Sequence, residues 1–170
     1  MTDGATIKNV GFVDAKITSG DGSGILCYQK RGALTVDNVY IDMQLTVSSS
    51  YSYNGGVVGL LFGGTLTMNN SIIVCEGLYS GGAVNTSNGA LVGRCTGAAV
   101  LNNSYIITDG MACSLKPNEN NTQYEQINSL KGIYASESEF LADKGNEYAG
   151  MDFSGFNEKY WDLTNVPMYK

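Results

Sequence analysis

At 170 residues and 43% hydrophobic content, the chain is long enough for one domain with its own core and too apolar to be disordered. Its formal net charge of −6 sets it against a phosphate backbone and so argues against nucleic acid as a partner. It has no histidine, which removes His-based acid–base catalysis, Ser–His or Cys–His nucleophile activation and the commonest transition-metal ligand.

Glycine is abundant at 22 residues and proline scarce at 2. Together with many Thr, Val, Ile, Tyr and Asn, that balance predicts strands joined by tight turns. No apolar run reaches the about 18 residues of a membrane span. Met1-Thr2-Asp3-Gly4 passes directly into repeated sequence without the basic start and apolar stretch of a secretory signal. That abrupt start predicts a piece of a longer chain with flanking domains.

The first two-thirds of the chain repeats itself. IKNVGFV from Ile7, VDNVYID from Val36, MNNSIIV from Met68 and LNNSYII from Leu101 align Asn9, Asn38, Asn70 and Asn103 in one column. The separations are 29, 32 and 33 residues. The copies span about 5–32, 33–64, 65–98 and 99–110. Each reads as strand, Asn turn, strand, Gly-rich turn, strand, closing on SGILC, GGVVG or NGALVG. Aligning Cys27 with Gly59 and Gly93 places Leu26, Val58 and Val92 in one apolar column. Propeller blades need about 40 residues and a closed ring, which disfavours a propeller. The expected fold is all-β: a parallel β-helix, or β-solenoid, of about three to four coils, with columns stacked about 4.8 Å apart.

In that geometry the Asn column is a structural ladder. Asn tolerates left-handed backbone angles at a corner, and its amide can bond to those above and below. Alternation places Ile7, Val36, Met68 and Leu101 inward, followed by Phe12, Ile41, Ile73 and Ile106 if the corner resets the phase. Gly11, Tyr40, Ile72 and Tyr105 then point outward. Exposed tyrosines on a flat sheet make Tyr40, Ile72 and Tyr105 the candidate ligand-binding residues, with sugar rings stacking on them. The competing reading is that they cover a neighbouring layer.

Cys27, Cys75, Cys95 and Cys113 form no C-x-x-C pair, and no two share a column of adjacent copies; they read as buried free thiols. Asn-x-Ser/Thr patterns at Asn69, Asn85, Asn102 and Asn120 are expected by composition in so Asn- and Ser-rich a chain. Asp21 in SGDGSG lacks the partners a calcium site needs. Thr6, Thr35 and Thr67 align, but Val100 breaks the column an ice-binding face would require. No metal site and no cofactor is expected.

The run SNGALVG…AAVLNNSYIIT resembles the GLUG motif, a glycine-rich G-x-L-V-G turn leading through an apolar strand into N-S-Y. GGVVG…TLTMNNSII is a looser match, and coverage extends from Ala5 to about Gly110. DFSGFNEKYWDLTNVPMYK from Asp152 is similar to the segment that closes such repeats. The resemblance implies a β-solenoid on a large secreted or surface-anchored bacterial protein, adhesins and surface peptidases among them. It carries over no catalytic residue.

From Met111 the composition shifts, with four of 22 glycines but nine of 16 acidic residues beyond it. The segment 111–170 is expected to cap the open solenoid end in the same domain. TQYEQINSLKG and SESEFLADKG read as short helices, with Ser136 and Glu139 matching a capping box. Phe153, Phe156, Tyr160 and Trp161 are expected to cover the last coil.

The functional expectation is a non-catalytic extracellular module, structural or adhesive, with a glycan or a cell-surface protein as partner. The alternative is a fragment of a β-helix polysaccharide-degrading enzyme. Asp14, Asp37, Asp42, Lys8, Lys16 and Arg94 are its candidate groups. Asp37 and Asp42 straddle a corner, and the alignment gives no stacked carboxylate pair of the kind hydrolysis requires.

Overall fold

The computed structural model describes residues 4–19, 22–47, 53–75, 87–113 and 123–170. The Asp21 turn, Asn85, Asn120, the polar turn over 48–52 and the loop over 114–122 lie outside the described residues.

The strands are β1 (Gly4–Ser19), β2 (Cys27–Lys30), β3 (Ala33–Val47), β4 (Tyr53–Gly55), β5 (Val58–Leu61), β6 (Thr65–Asn69), β7 (Ile72–Cys75), β8 (Ser87–Gly89), β9 (Val92–Cys95), β10 (Ala98–Asn102) and β11 (Tyr105–Thr108). Every ladder among them is parallel and joins one copy to the next. The spine is β3. It pairs with β1 along one edge and with β6 and then β7 along the other, in a sheet that curls. Strand β10 extends β6 and β11 extends β7, while β2-β5-β9 and β4-β8 form two smaller sheets.

All four aligned asparagines have positive φ: 58° at Asn9, 55° at Asn38, 47° at Asn70 and 45° at Asn103. In the first two copies this single left-handed residue bends the strand without ending it, so β1 and β3 run through the expected Asn turn as strands of 16 and 15 residues. In the last two copies the turn does separate the strands.

The inward columns meet in one core. Val36, Ile41, Met68, Ile73 and Ile106 are buried there, with Ile7, Phe12 and Leu101 packed against them. One register differs from the aligned one: Cys27, not Leu26, stands opposite Val58, which stands opposite Val92. The final glycine of the repeat signature has a steric cause. A Cβ on Gly93 would lie 2.5 Å from the Asn54 backbone nitrogen, and one on Gly59 would lie 2.5 Å from the Ser23 carbonyl oxygen. Only a residue without a side chain permits that approach.

The tail contains α1 (Gln123–Asn128), β12 (Ile133–Tyr134), α2 (Glu137–Lys144), a 3-10 turn at Glu147–Ala149, β13 (Trp161–Asp162) and β14 (Met168–Tyr169). At the start of α2 the Ser136 hydroxyl accepts from the Glu139 N–H at 3.3 Å, and the Glu139 carboxylate accepts from the Ala135 N–H at 3.0 Å. Ile127, Leu130 and Ile133 cover the end of the main core, with Ile133 beside Ile106 in a parallel ladder.

The expected aromatic cover sits elsewhere. Phe156 and Trp161 are buried, and Phe153 half-buried, in a second core on the outer face of β3, β7 and β11. Trp161 reaches back to the second copy, because aliphatic residues already close the end. Tyr160 is 41% exposed and covers neither surface.

Candidate functional site

Tyr40, Ile72 and Tyr105 do stack in one column, with Gly11 above them. They face away from the main core, yet they are buried in the second one. The expected exposed aromatic platform is therefore absent at these three positions. The tail excludes any sugar from their faces. Phe153 lies 5.2 Å from the Tyr105 ring, and Trp161 meets Tyr40 edge-on at 5.9 Å. The Asp152 backbone N–H donates to the Tyr105 hydroxyl at 2.8 Å. At the top of the column the Tyr169 ring sits 3.2 Å from where a Gly11 Cβ would be. Apolar surface that alternation assigns to solvent is here consumed by a layer the repeats themselves do not encode.

The Asn column is likewise diverted by the tail. Asn38 donates to the Asn9 side-chain oxygen at 2.7 Å, giving one rung of the expected ladder. The Asn38 side-chain oxygen then accepts from the Trp161 indole N–H, and the Asn38 carbonyl accepts from the Tyr169 hydroxyl at 2.5 Å. Asn70 donates to Asp37 at 3.5 Å and packs against Gly155. A second amide rung forms one residue earlier, from Asn102 to Asn69 at 2.9 Å. A third joins Asn54 to Asn88 at 3.1 Å, inside the fold.

Serine forms a further column that alternation does not reveal. The Ser71 hydroxyl accepts from the Val39 N–H at 3.0 Å and donates to the Asn69 carbonyl at 2.7 Å. The Ser104 hydroxyl does the same for the Ser71 N–H and the Asn102 carbonyl, at 3.1 and 2.9 Å. The signal was the repeated Asn-Ser step: a left-handed corner leaves a backbone N–H unpaired, and the next serine reaches across to satisfy one in the preceding copy.

The carboxylates also differ from the alignment. Between Phe12 and Ala15 the β1–β3 register shifts, so that Val13 and Asp14 together oppose Asp42. Asp14 has φ of 52°, the mark of a bulge. The bulge places Asp14 and Asp42 in one cleft of about 330 Å³ with Lys16 and Gln44. Asp37 is not among them. The extra residue in copy one was the readable sign, since matching AKIT to MQLT requires a one-residue gap.

A second cleft has a volume of about 320 Å³. Tyr40 lines it, with Glu137, Leu141, Asn165, Val166 and Met168. Burial pushes the Tyr40 phenol up to about 12, with Asp42, Glu137 and Asp14 adding to the shift in that order. The hydroxyl is thus a neutral donor facing negative charge. A larger groove of about 530 Å³ runs beneath β12 and is lined by Asn103, Ser104, Lys131 and Asp143 among others.

All four cysteines are free thiols, three buried and Cys27 half-buried. Burial raises Cys75 and Cys113 to about 12, which keeps them protonated and unreactive. Among the described residues no group of three or more His, Cys, Asp or Glu side chains is placed to hold a metal ion. Among them, no helix is long and apolar enough to cross a membrane. No family model, curated protein sequence or solved structure matches this chain.

Proposed function

We propose that the chain is a GLUG-type β-solenoid of three to four coils closed by its tail, working as a non-catalytic structural or adhesive module on a bacterial surface. The observation that carries this reading is the asymmetry of its two ends. Val36, Ile41 and Leu45 in the second copy are fully buried, whereas their first-copy counterparts Ile7, Phe12 and Ile17 are only half-buried. The outer edge of β1 pairs with no described strand, while the opposite end carries α1 and β12. The first copy is thus shaped to receive a further parallel coil, or the face of a partner protein.

Placing an additional copy of residues 33–64 ahead of Gly4 tests this. Under the proposal the extended protein remains monomeric and gains stability against urea, because the added coil buries Ile7, Phe12 and Ile17. Unchanged or lower stability rules the stacking face out. A glycan array tests the adhesive role directly.

One observation favours the enzymatic alternative: Asp14 and Asp42 share a cleft on the outer face, where β-helix enzymes place their carboxylates. Turnover of a uronic-acid polymer, abolished by Asp42→Asn, decides for that reading.

A further inference from the structure

Tyr40 is 4% exposed, and its ring is held by Trp161 and Tyr169. Its hydroxyl nevertheless makes no hydrogen bond to any described residue. The oxygen itself is not fully buried, so its free side meets solvent. Tyr40 lines a cleft walled by Leu141, Val166 and Met168, with Glu137 and Asn165 beside them. Leu141 and Met168 are 38% and 43% exposed, so the apolar wall is wet. Asp42 and Asp14, which line the other cleft, bear electrostatically on the same hydroxyl.

We propose that this cleft receives a lysine side chain of a partner protein, its alkyl stem along Leu141, Val166 and Met168 and its ammonium between the Tyr40 hydroxyl, Glu137 and Asp42. Glu137 lines this cleft and Asp14 and Asp42 the other, against Lys16 in the latter and Lys144 on the Asn165 carbonyl; the excess of carboxylates favours a cation over an anion. An ammonium brings three donors and no acceptor, which suits the phenol oxygen and two carboxylates together. The apolar wall selects a cation on a hydrocarbon stem rather than a hydrated ion. A divalent metal does not fit, because no three acidic groups among the described residues have the spacing to hold one. This inference is independent of the stacking face on β1 and stands or falls separately from it.

The test is calorimetric titration of the full chain with a capped Ala-Lys-Ala peptide, against the same peptide carrying norleucine or Nε-acetyl-lysine. Saturable binding of the lysine peptide is expected, with both analogues about tenfold weaker or worse. Tyr40→Phe, which keeps the ring and its packing, is expected to weaken binding about threefold to tenfold. Glu137→Gln, at an exposed position, is expected to act in the same direction with an unchanged unfolding midpoint. It carries the test should Tyr40→Phe misfold. Equal binding of the norleucine peptide, or no saturation by the lysine peptide, overturns the proposal. So does wild-type affinity in Glu137→Gln.

Discussion

The indole N–H of Trp161 donates to the side-chain oxygen of Asn38, a residue 123 positions earlier. That bond ties the tail to the corner of the second copy, and it engages the one asparagine that also completes an in-column rung with Asn9. The tail therefore bears on the repeat register as well as closing its end. Trp161→Ala removes this bond and the contacts with Tyr40, Phe156 and Tyr169. It is expected to cost about 3–5 kcal/mol in urea unfolding followed by circular dichroism. Trp161→Phe keeps most of the packing and is expected to cost distinctly less. Equal costs would show that the bond, and not the ring, dominates.

Gly155 lies against Asn70 so closely that a Cβ would sit 2.0 Å from the Asn70 side-chain oxygen. Gly155→Ala is expected to destabilise by about 1–3 kcal/mol through overpacking. Asn70→Gly removes the obstructing amide and still accepts the φ of 47° found there. In that background the alanine cost is expected to fall close to zero. A double-mutant cycle with no coupling would mean that the tail does not rest on this corner.

Ser71 is the acceptor for the buried Val39 N–H. Replacing it by Ala leaves that donor without a partner and is expected to cost about 1–3 kcal/mol, a large loss for removing one oxygen. Amide hydrogen exchange at Val39 should quicken in parallel. Unchanged protection at Val39 would show that the serine column is dispensable.

Alkali should unfold the protein earlier than its net charge alone predicts. Tyr40 and Tyr134 are raised from 10.0 to about 12, and Cys75 and Cys113 from 9.0 to about 12, in each case chiefly by burial. The unfolded chain loses these protons first, so it binds fewer protons than the native state through this range. The stabilisation is whole below about pH 9 and is lost as pH rises toward about 12. Melting temperatures measured across that window should fall steadily, with tyrosinate absorbance rising at the unfolding step. A flat profile would contradict the burial of these groups.

Thiol titration gives an independent check. Near about pH 8 one thiol, Cys27, should react readily with an aromatic disulfide reagent and the other three only after denaturation.

The repeat was legible because a parallel stack makes sequence columns into spatial columns. The Thr6–Thr35–Thr67–Val100 register follows the alignment position for position. Two departures came from single-residue events that alternation treats as noise. A bulge at Val13 and Asp14 brought two carboxylates together, and a one-residue offset set Cys27 rather than Leu26 against Val58. The serine column was unread for another reason, since its role appears only when an N–H in the neighbouring copy is left without a partner.

By itself, the amino-acid sequence determined which residues turn inward and where the backbone goes left-handed, because both depend on local chemistry: alternation along a strand and the tolerance of Asn for positive φ. Whether the outward column of Tyr40, Ile72 and Tyr105 meets water was decided only by tertiary structure. That outcome depends on a tail more than a hundred residues beyond Tyr40 in the chain, which lays Phe153, Phe156, Trp161 and Tyr169 across it. Burial of apolar surface is non-directional and can be satisfied by any segment that reaches it, so no period in the repeat could announce the cover. The same tail forms with Tyr40 the cleft in which the proposed side-chain receptor lies.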